Sequence, residues 1–386
     1  MRNKIIGICI CMLMIVAGVL PAAGTINRKV DDKSILFNTQ SNKIVNPCSV
    51  PNDPDFSKQW YLQTTWQILW VKILLWNIIP IWYPLLVKSD ADIDAPEAWN
   101  IETGSPDVVI AILDTGVDYT HPDLAANIWN NTDEIPNNGI DDDLNGYIDD
   151  VIGWDFANND NDPIDDFGHG TMNAGVAGAV GNNGIGVAGI AWNCKIMPIR
   201  VIDDQGWCAS SIIAKGITYA ADNGANVISM SFGADDSNNT TIMLEAVNYA
   251  YSKGVFLCAA AGNNGDNKLY PAAYENVTAV GWTNQRDKAD KNSNYGDWID
   301  IAAPGTLIYS TDTLQDPSLD YAYYGGSSAA TAIVAGVAAL LLSKDPSLTP
   351  AEVKALLCNN TDPYSGNHYV GTGRLNAFKA LSALTR

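Results

Sequence analysis

From residue 108 onward, short continuous apolar runs rich in β-branched residues alternate with stretches whose apolar positions recur every three or four residues. The runs at 108–113, 196–202, 227–232, 255–261 and 277–283 predict buried strands. The segments 210–222 and 240–253 have helical periodicity, as does the apolar run 174–180, and three further helices are predicted at 327–343, 349–357 and 375–384. Uniformly apolar strands separated by helices predict an α/β fold of three layers, with a mostly parallel central sheet covered by helices on both faces. In such sheets the chemistry gathers at the carboxyl ends of the strands.

The chain before this alternation is patterned differently. A basic start, Arg2 and Lys4, precedes an apolar run from Ile5 to Leu20 and then Pro21-Ala22-Ala23-Gly24, which predicts a secretory signal peptide over 1–24. An uncleaved anchor is the alternative, although the run is short for a bilayer. Residues 25–52 are polar, unpatterned and read as a linker. Within 53–88, an N-terminal arm, five of the 12 tryptophans fall between Trp60 and Trp82, and 17 of the 22 residues at 66–87 are apolar. Pro80, Pro84 and Lys72 argue against a regular membrane helix there. Trp and Tyr favour bilayer interfaces, so membrane contact through an interfacial hairpin is one reading. The plainer one, preferred here, is an insertion packed on the domain formed by 89–386.

Charge sharpens the picture. The 386 residues carry 22 Lys+Arg against 43 Asp+Glu, a net charge of −21. That balance excludes a nucleic-acid binder, which needs a basic surplus to neutralise phosphates. Residues 89–166 alone hold 21 acidic side chains and no Lys or Arg. Self-repulsion on that scale calls for bound cations, with a solvated acidic face as the alternative. Within the stretch, Asp141, Asp143, Asn145 and Gly146 match positions 1, 3, 5 and 6 of a calcium loop, and Asp149 and Asp150 follow. Position 12 is Ile152, so the loop is only EF-like. Cys48, Cys194, Cys208, Cys258 and Cys358 lie beyond the signal, an odd number that leaves at least one thiol unpaired.

Three histidines make up the whole shortlist for a general base near neutral pH. His169 stands between glycines in Gly168-His169-Gly170-Thr171, a context that favours catalysis. His121, in a turn, and His368, in a Gly/Asn-rich loop, read as surface residues. Asp114 ends the predicted strand Val109-Ile110-Ala111-Ile112-Leu113, where an acid is costly without a partner. Ser328 lies where a Gly-rich turn opens a long apolar helix, whose unpaired N–H groups favour an oxyanion. Asn263, just past another strand, offers a second donor. The order Asp, His, Ser with separations of 55 and 159 residues carries more weight than any one motif.

With these motifs the stretch from about Ala91 to Leu384 resembles the subtilisin-like serine proteases; the order of the triad is matched to that family and is not an independent derivation. The resemblance implies Asp114 as orienter, His169 as base, Ser328 as nucleophile and Asn263 as oxyanion donor. It also implies that Ser231, Phe232 and Gly233 pair with substrate backbone, that Ala261 and Gly262 line the first specificity pocket, and that the proline of Tyr270-Pro271-Ala272 is cis. Two further calcium sites are implied, giving two or three in all. One uses Asp53, Asp123, Asn183 and the carbonyls of Val180, Ile185 and Val187. The other uses Asp155, Asp160 and Asp162, with Asn158 nearby. No organic cofactor is implied.

The departures are local. The family's serine segment usually reads Gly-Thr-Ser-Met-Ala-x-Pro-His-Val-Ala-Gly. Here Ala329, Ala332 and Ile333 replace its Met, Pro and His, and Met172 replaces a second family histidine. Residues 25–52 are too few for the family's inhibitory prodomain. The sequence therefore reads as a secreted, monomeric, calcium-binding endopeptidase acting on polypeptides. Its rival is a catalytically impaired relative serving as a binding module. A lipase-type hydrolase lacks both the GxSxG frame and the chain order.

Overall fold

The computed structural model describes residues 50–64, 67–75, 79–235, 240–265, 267–313 and 320–384. The expected signal peptide, most of the linker, Cys48, Trp66 and Trp76 lie outside them. A hairpin of β1 (Gln67–Leu75) and β2 (Ile79–Val87) pairs antiparallel from Gln67 opposite Val87 to Leu75 opposite Ile79. Gln67–Leu75 and Ile79–Val87, within the tryptophan-rich segment, are thus β structure, which no strand prediction had covered. Its two prolines are accommodated because a two-stranded sheet leaves alternate N–H groups of each strand unpaired.

After helix α1 (Ala95–Trp99) come β3 (Val109–Asp114), β4 (Trp154–Asp155), helix α2 (His169–Gly178), β5 (Lys195–Arg200) and helix α3 (Ser210–Asp222). Then follow β6 (Val227–Met230), helix α4 (Thr241–Ser252), β7 (Phe256–Ala260), β8 (Thr278–Asn284), β9 (Lys288–Ala289) and β10 (Ile301–Pro304). The hairpin β11 (Ile308–Thr311) and β12 (Tyr321–Tyr324) leads into helices α5 (Ser327–Lys344), α6 (Pro350–Asn359) and α7 (Ala377–Ala383). The main sheet runs β10-β8-β7-β6-β3-β5-β4 with every neighbour parallel, and β9 adds an antiparallel pair at β8.

The period of two along a strand sends alternate side chains to opposite faces. Ile110 and Ile112 enter one apolar cluster with α2 and α5, whereas Ala111 and Leu113 enter a second with α3 and α4. Two cores on two faces produce the three layers expected from the pattern. Helix α5 is long and apolar enough by composition to cross a membrane, yet 83% of that window is buried inside the fold. A helix apolar all round is what a central core position requires. Ala329, Ala332 and Ile333 are fully buried in it, and Met172 is buried in α2. The arm at 50–64 joins the same core: Trp60, Tyr61 and Leu62 are buried, and the Trp60 indole donates to the carbonyls of Thr306 and Leu307 at 3.0 Å.

Cys194, Cys208, Cys258 and Cys358 are all free thiols. Burial pushes Cys194 up to about 11, Cys208 and Cys358 up to about 12 and Cys258 higher still, so none is a ready nucleophile.

Candidate active site

Because β7, β6 and β3 are neighbours, their carboxyl ends deliver Asn263, Ser231 and Asp114 side by side. Asp114 is fully buried, and its carboxylate has partners for both oxygens. Oδ1 accepts the Thr115 N–H at 2.8 Å and lies 2.6 Å from His169 Nδ1; Oδ2 accepts from the Asn173 side-chain amide at 3.0 Å. A carboxylate in this role accepts, so Nδ1 carries the proton and Nε2 keeps its lone pair outward. Burial alone would lower the protonation midpoint of His169, but the Asp114 carboxylate, with help from Asp165, outweighs it and holds the ring above its ordinary 6.5.

His169 is delivered by the first turn of α2, which runs against the turn after β3. At Gly170 a Cβ would lie 1.9 Å from the Gly116 carbonyl oxygen, so only glycine admits this approach. The helix start is held by Asp165, a buried residue that sequence reasoning missed. Its Oδ1 accepts from the Thr115 hydroxyl and the N–H groups of Phe167 and Gly168, each at 2.9 Å. Its Oδ2 accepts the Thr171 N–H at 2.9 Å and hydroxyl at 2.7 Å. The available signal was an acid three residues ahead of Gly168-His169-Gly170, although the predicted helical run began only at 174.

Ser328 is the second residue of α5. The preceding Gly326 has φ +106°, and a Cβ there would lie 2.9 Å from Asn263 Oδ1. That oxygen accepts the Ser327 N–H at 2.9 Å, which ties the Asn263 side chain to the serine turn. The Ser328 hydroxyl donates to the Ser231 carbonyl at 2.9 Å, and the Ser231 hydroxyl donates to the Ser328 carbonyl at 3.0 Å. Phe232 is buried and Gly233 follows it along the same edge. Ala261 is buried and its N–H donates to the Val280 carbonyl. At Gly262, with φ +111°, a Cβ would lie 2.5 Å from Asn294 Nδ2, and the Gly262 N–H donates to Ser327 Oγ at 3.1 Å. The Tyr270–Pro271 peptide bond is cis.

The acidic positions gather in three places, and among the described residues one of them brings three carboxylates within reach of a single ion. Carboxylate oxygens of Glu134, Asp141 and Asp143 lie within 4.8 Å of one another. Glu134, buried and missed from sequence, accepts the N–H groups of Asp142 at 2.8 Å and Asp149 at 3.0 Å. Asn145 donates to Asp143 and Asp150, while the Asp149 carboxylate turns to the N–H groups of Asn138 and Gly139. All-oxygen donors with no cationic side chain in the stretch fit a hard divalent ion.

In the second place Asp53 accepts the Asn182 N–H at 2.7 Å, and Asp123 accepts from the Asn183 amide at 2.7 Å and the Val187 N–H at 2.8 Å. Ile185 N–H bonds Asn183 Oδ1, and Val180 N–H bonds the Asp123 carbonyl. Burial pushes Asp123 up to about 6, with the Asp53 charge adding to it. At the third place Asp155 has the Arg200 guanidinium at 3.5 Å and is otherwise occupied by the N–H groups of Ala157 and Asn158 and by the Asn158 amide. Asp160 accepts the Asp162 N–H, and the Asp162 carboxylate takes the Tyr119 hydroxyl. A resident arginine makes this third place a poorer cation site than the other two.

His121 departs from its surface reading and is fully buried. Its Nδ1 accepts the Asp123 N–H at 3.1 Å, and its Nε2 meets the Asp320 carbonyl at 3.0 Å, because the turn after β3 folds beneath residues 320–321. It is a structural histidine. His368 is exposed, as expected, and stacks on Tyr295 at 4.4 Å between ring centroids.

Residues 105–377 match the subtilase family profile. The chain is 44% identical over 291 residues to thermitase of Thermoactinomyces vulgaris, covering 75% of this chain and 93% of that protein. It is 34% identical to an extracellular protease of Xanthomonas campestris over 94% of this chain and 62% of that one. Among solved structures, a protease of Pseudoalteromonas arctica matches with a TM-score of 0.68 and 30% identity over 86% of this chain and 99% of that one. The extent of the family match, and of the thermitase match on both chains, leaves one assignment: the chain belongs to the subtilase family of serine endopeptidases.

Proposed function

We propose that Asp114, His169 and Ser328 are the catalytic triad, with Asn263 and the Ser328 N–H as oxyanion donors. The observation that carries this reading is the 2.6 Å contact between buried Asp114 and His169 Nδ1, which leaves Nε2 as the ring's acceptor. Ser328 Oγ attacks the scissile carbonyl while His169 takes its proton; His169 then returns that proton to the leaving amine, and water hydrolyses the acyl-enzyme. The hydroxyl's bond to Ser231 is no obstacle, since catalytic hydrogen bonds often form only with substrate bound. Ser231, Phe232 and Gly233 hold an extended polypeptide by its backbone. Ala261 and Gly262 shape a first pocket for an apolar side chain.

Calcium is proposed at the cluster of Glu134, Asp141, Asp143 and Asn145 and at the site of Asp53, Asp123 and Asn183. When bound, it supplies countercharge to an acidic lobe and takes no part in the chemistry. Secretion is proposed from the signal-like residues 1–24 and agrees with the extracellular relative. The arm at 53–88 and the peptidase domain at 89–386 are read as one monomer, without a role for the hairpin at a membrane.

The rival binding-module reading draws on the Ser328 hydroxyl directed at Ser231 and on the altered serine segment. A serine-directed fluorophosphonate separates the two, because only an activated Ser328 is labelled. Ser328→Ala is expected to fold normally, to escape labelling and to lose about 10⁶-fold in kcat, the loss seen when the nucleophile of subtilisin itself is removed. Substantial residual peptidase activity would falsify the assignment.

Because the Asp114 carboxylate holds His169 above 6.5, activity is expected to fall on acidification with a midpoint above that value. The sign for stability is opposite. The raised midpoint contributes stability that is complete below about 6.5 and is lost as pH rises through the folded value. A kcat/KM profile whose acid limb lies below 6.5 contradicts the role.

Removing calcium is expected to lower Tm and speed autolysis with kcat initially retained. A ligand bound only by the native state contributes about 2.7 kcal/mol at 100 times its Kd. Glu134→Gln should reproduce part of that loss at low calcium. Coincident melting curves in chelator and in excess calcium rule the sites out.

A further inference from the structure

Helix α2 carries a polar side chain into a wall of apolar ones. Asn173 lies one turn beyond His169 on the same helix face and is fully buried. Asp114 Oδ1 is already occupied by His169 and the Thr115 N–H. Among the described residues, the donor for Oδ2 is the Asn173 amide, at 3.0 Å. A carboxylate accepts, so the NH₂ group must face Asp114 and the amide oxygen must face away. There Asn173 Oδ1 accepts the Tyr324 hydroxyl at 2.9 Å. Tyr324 is buried at the end of β12, four residues ahead of Ser328.

A single chain of hydrogen bonds therefore runs from the serine turn through Tyr324 and Asn173 to Asp114 and on to His169. We propose that Asn173, oriented by Tyr324, is a positioning residue of this active site, one that fixes the second oxygen of Asp114 so that the first meets His169 in line. The proposal rests on the triad reading above.

Two physical consequences follow. A buried carboxylate oxygen that loses its donor is left without compensation, and the carboxylate is free to tilt. The Asn173 amide nitrogen also lies 3.3 Å from His169 Nδ1, so the positive end of its dipole opposes protonation of the ring. Other groups set the baseline: Asp114 on β3, Asp165 ahead of α2, Asp312 near Asp165, and Cys208, whose thiol feels Asp114. Tyr324, with Tyr61 beside it, is held well above 10 by burial and remains a donor throughout the working range.

The test compares kcat, KM and the pH profile of the full-length enzyme with Asn173→Ala and Tyr324→Phe, each corrected by fluorophosphonate titration, with Ser328→Ala alongside. Asn173→Ala should lower kcat roughly tenfold to a hundredfold, the range for hydrogen bonds to a charged group, with KM little changed. Its acid limb should move to higher pH. Tyr324→Phe, which removes one hydroxyl and preserves the ring, should do the same to a smaller extent, and it decides the matter alone if Asn173→Ala does not fold. Wild-type kcat and pH profile in the folded variants overturn the proposal, as does a fall in kcat with an unmoved acid limb, since that marks a merely structural role. If Ser328→Ala is inactive while Asn173→Ala behaves as wild type, only this proposal fails. If Ser328→Ala stays active, the triad reading fails and takes the proposal with it.

Discussion

The burial of one carboxylate organises this molecule. Asp114 sits at the end of a strand flanked on both sides by parallel neighbours, out of contact with water. Such a charge is tolerated only if each oxygen finds donors, and those donors come from different parts of the chain: Thr115 from the following turn, and His169 and Asn173 from α2. Satisfying Asp114 thus brings α2 across the carboxyl edge of the sheet, and Asp165 and Gly170 let it start there. The Ser328 turn is docked by its own set, through Asn263, Gly262 and Ser231. Polar satisfaction at one buried point and tight glycine contacts around it are what align the proposed catalytic groups.

A second constraint is electrostatic and lies in the acidic stretch at 89–166. Of the described basic residues, Arg200 reaches into the acidic stretch from outside it, pairing with Asp155 and Asp166. The carboxylates it does not reach are organised by backbone N–H groups and Asn amides, as at Glu134, Asp143 and Asp123. This arrangement orders oxygens without cancelling charge. An all-oxygen cluster of this kind suits the divalent ion proposed for it, and Glu134, Asp141 and Asp143 are not among the hydrogen-bond partners of Asp114 and His169, so the proposed ion bears on stability rather than on the chemistry.

Much of this was legible in the sequence because it depends on local pattern. Buried parallel strands announce themselves as uniform apolar runs, and α3 falls at 210–222, where periodicity placed it. His169 was legible because glycines bracket it, and Ser328 because a glycine pair opens a long apolar helix just ahead of it. Asn173, Tyr324, Asp165 and Glu134 were not, because a polar residue inside an apolar helix or an acid in an acidic run gains meaning only from what the fold sets against it. His121 was misread for the same reason: its turn looks exposed until residues 320–321 close over it. A hairpin was one reading of the tryptophan-rich segment, but the strands 67–75 and 79–87 were not predicted, because the apolar run does not alternate and prolines usually mark the end of a strand.

The central claim is that His169 shares a short hydrogen bond with buried Asp114. Proton NMR of the autolysis-free Ser328→Ala protein tests it most directly. A far-downfield, exchange-protected ring N–H resonance is predicted, shifting as pH crosses a midpoint above 6.5 and disappearing in the additional Asp114→Asn variant. No such resonance at any pH, or one that persists after Asp114→Asn, would contradict the account.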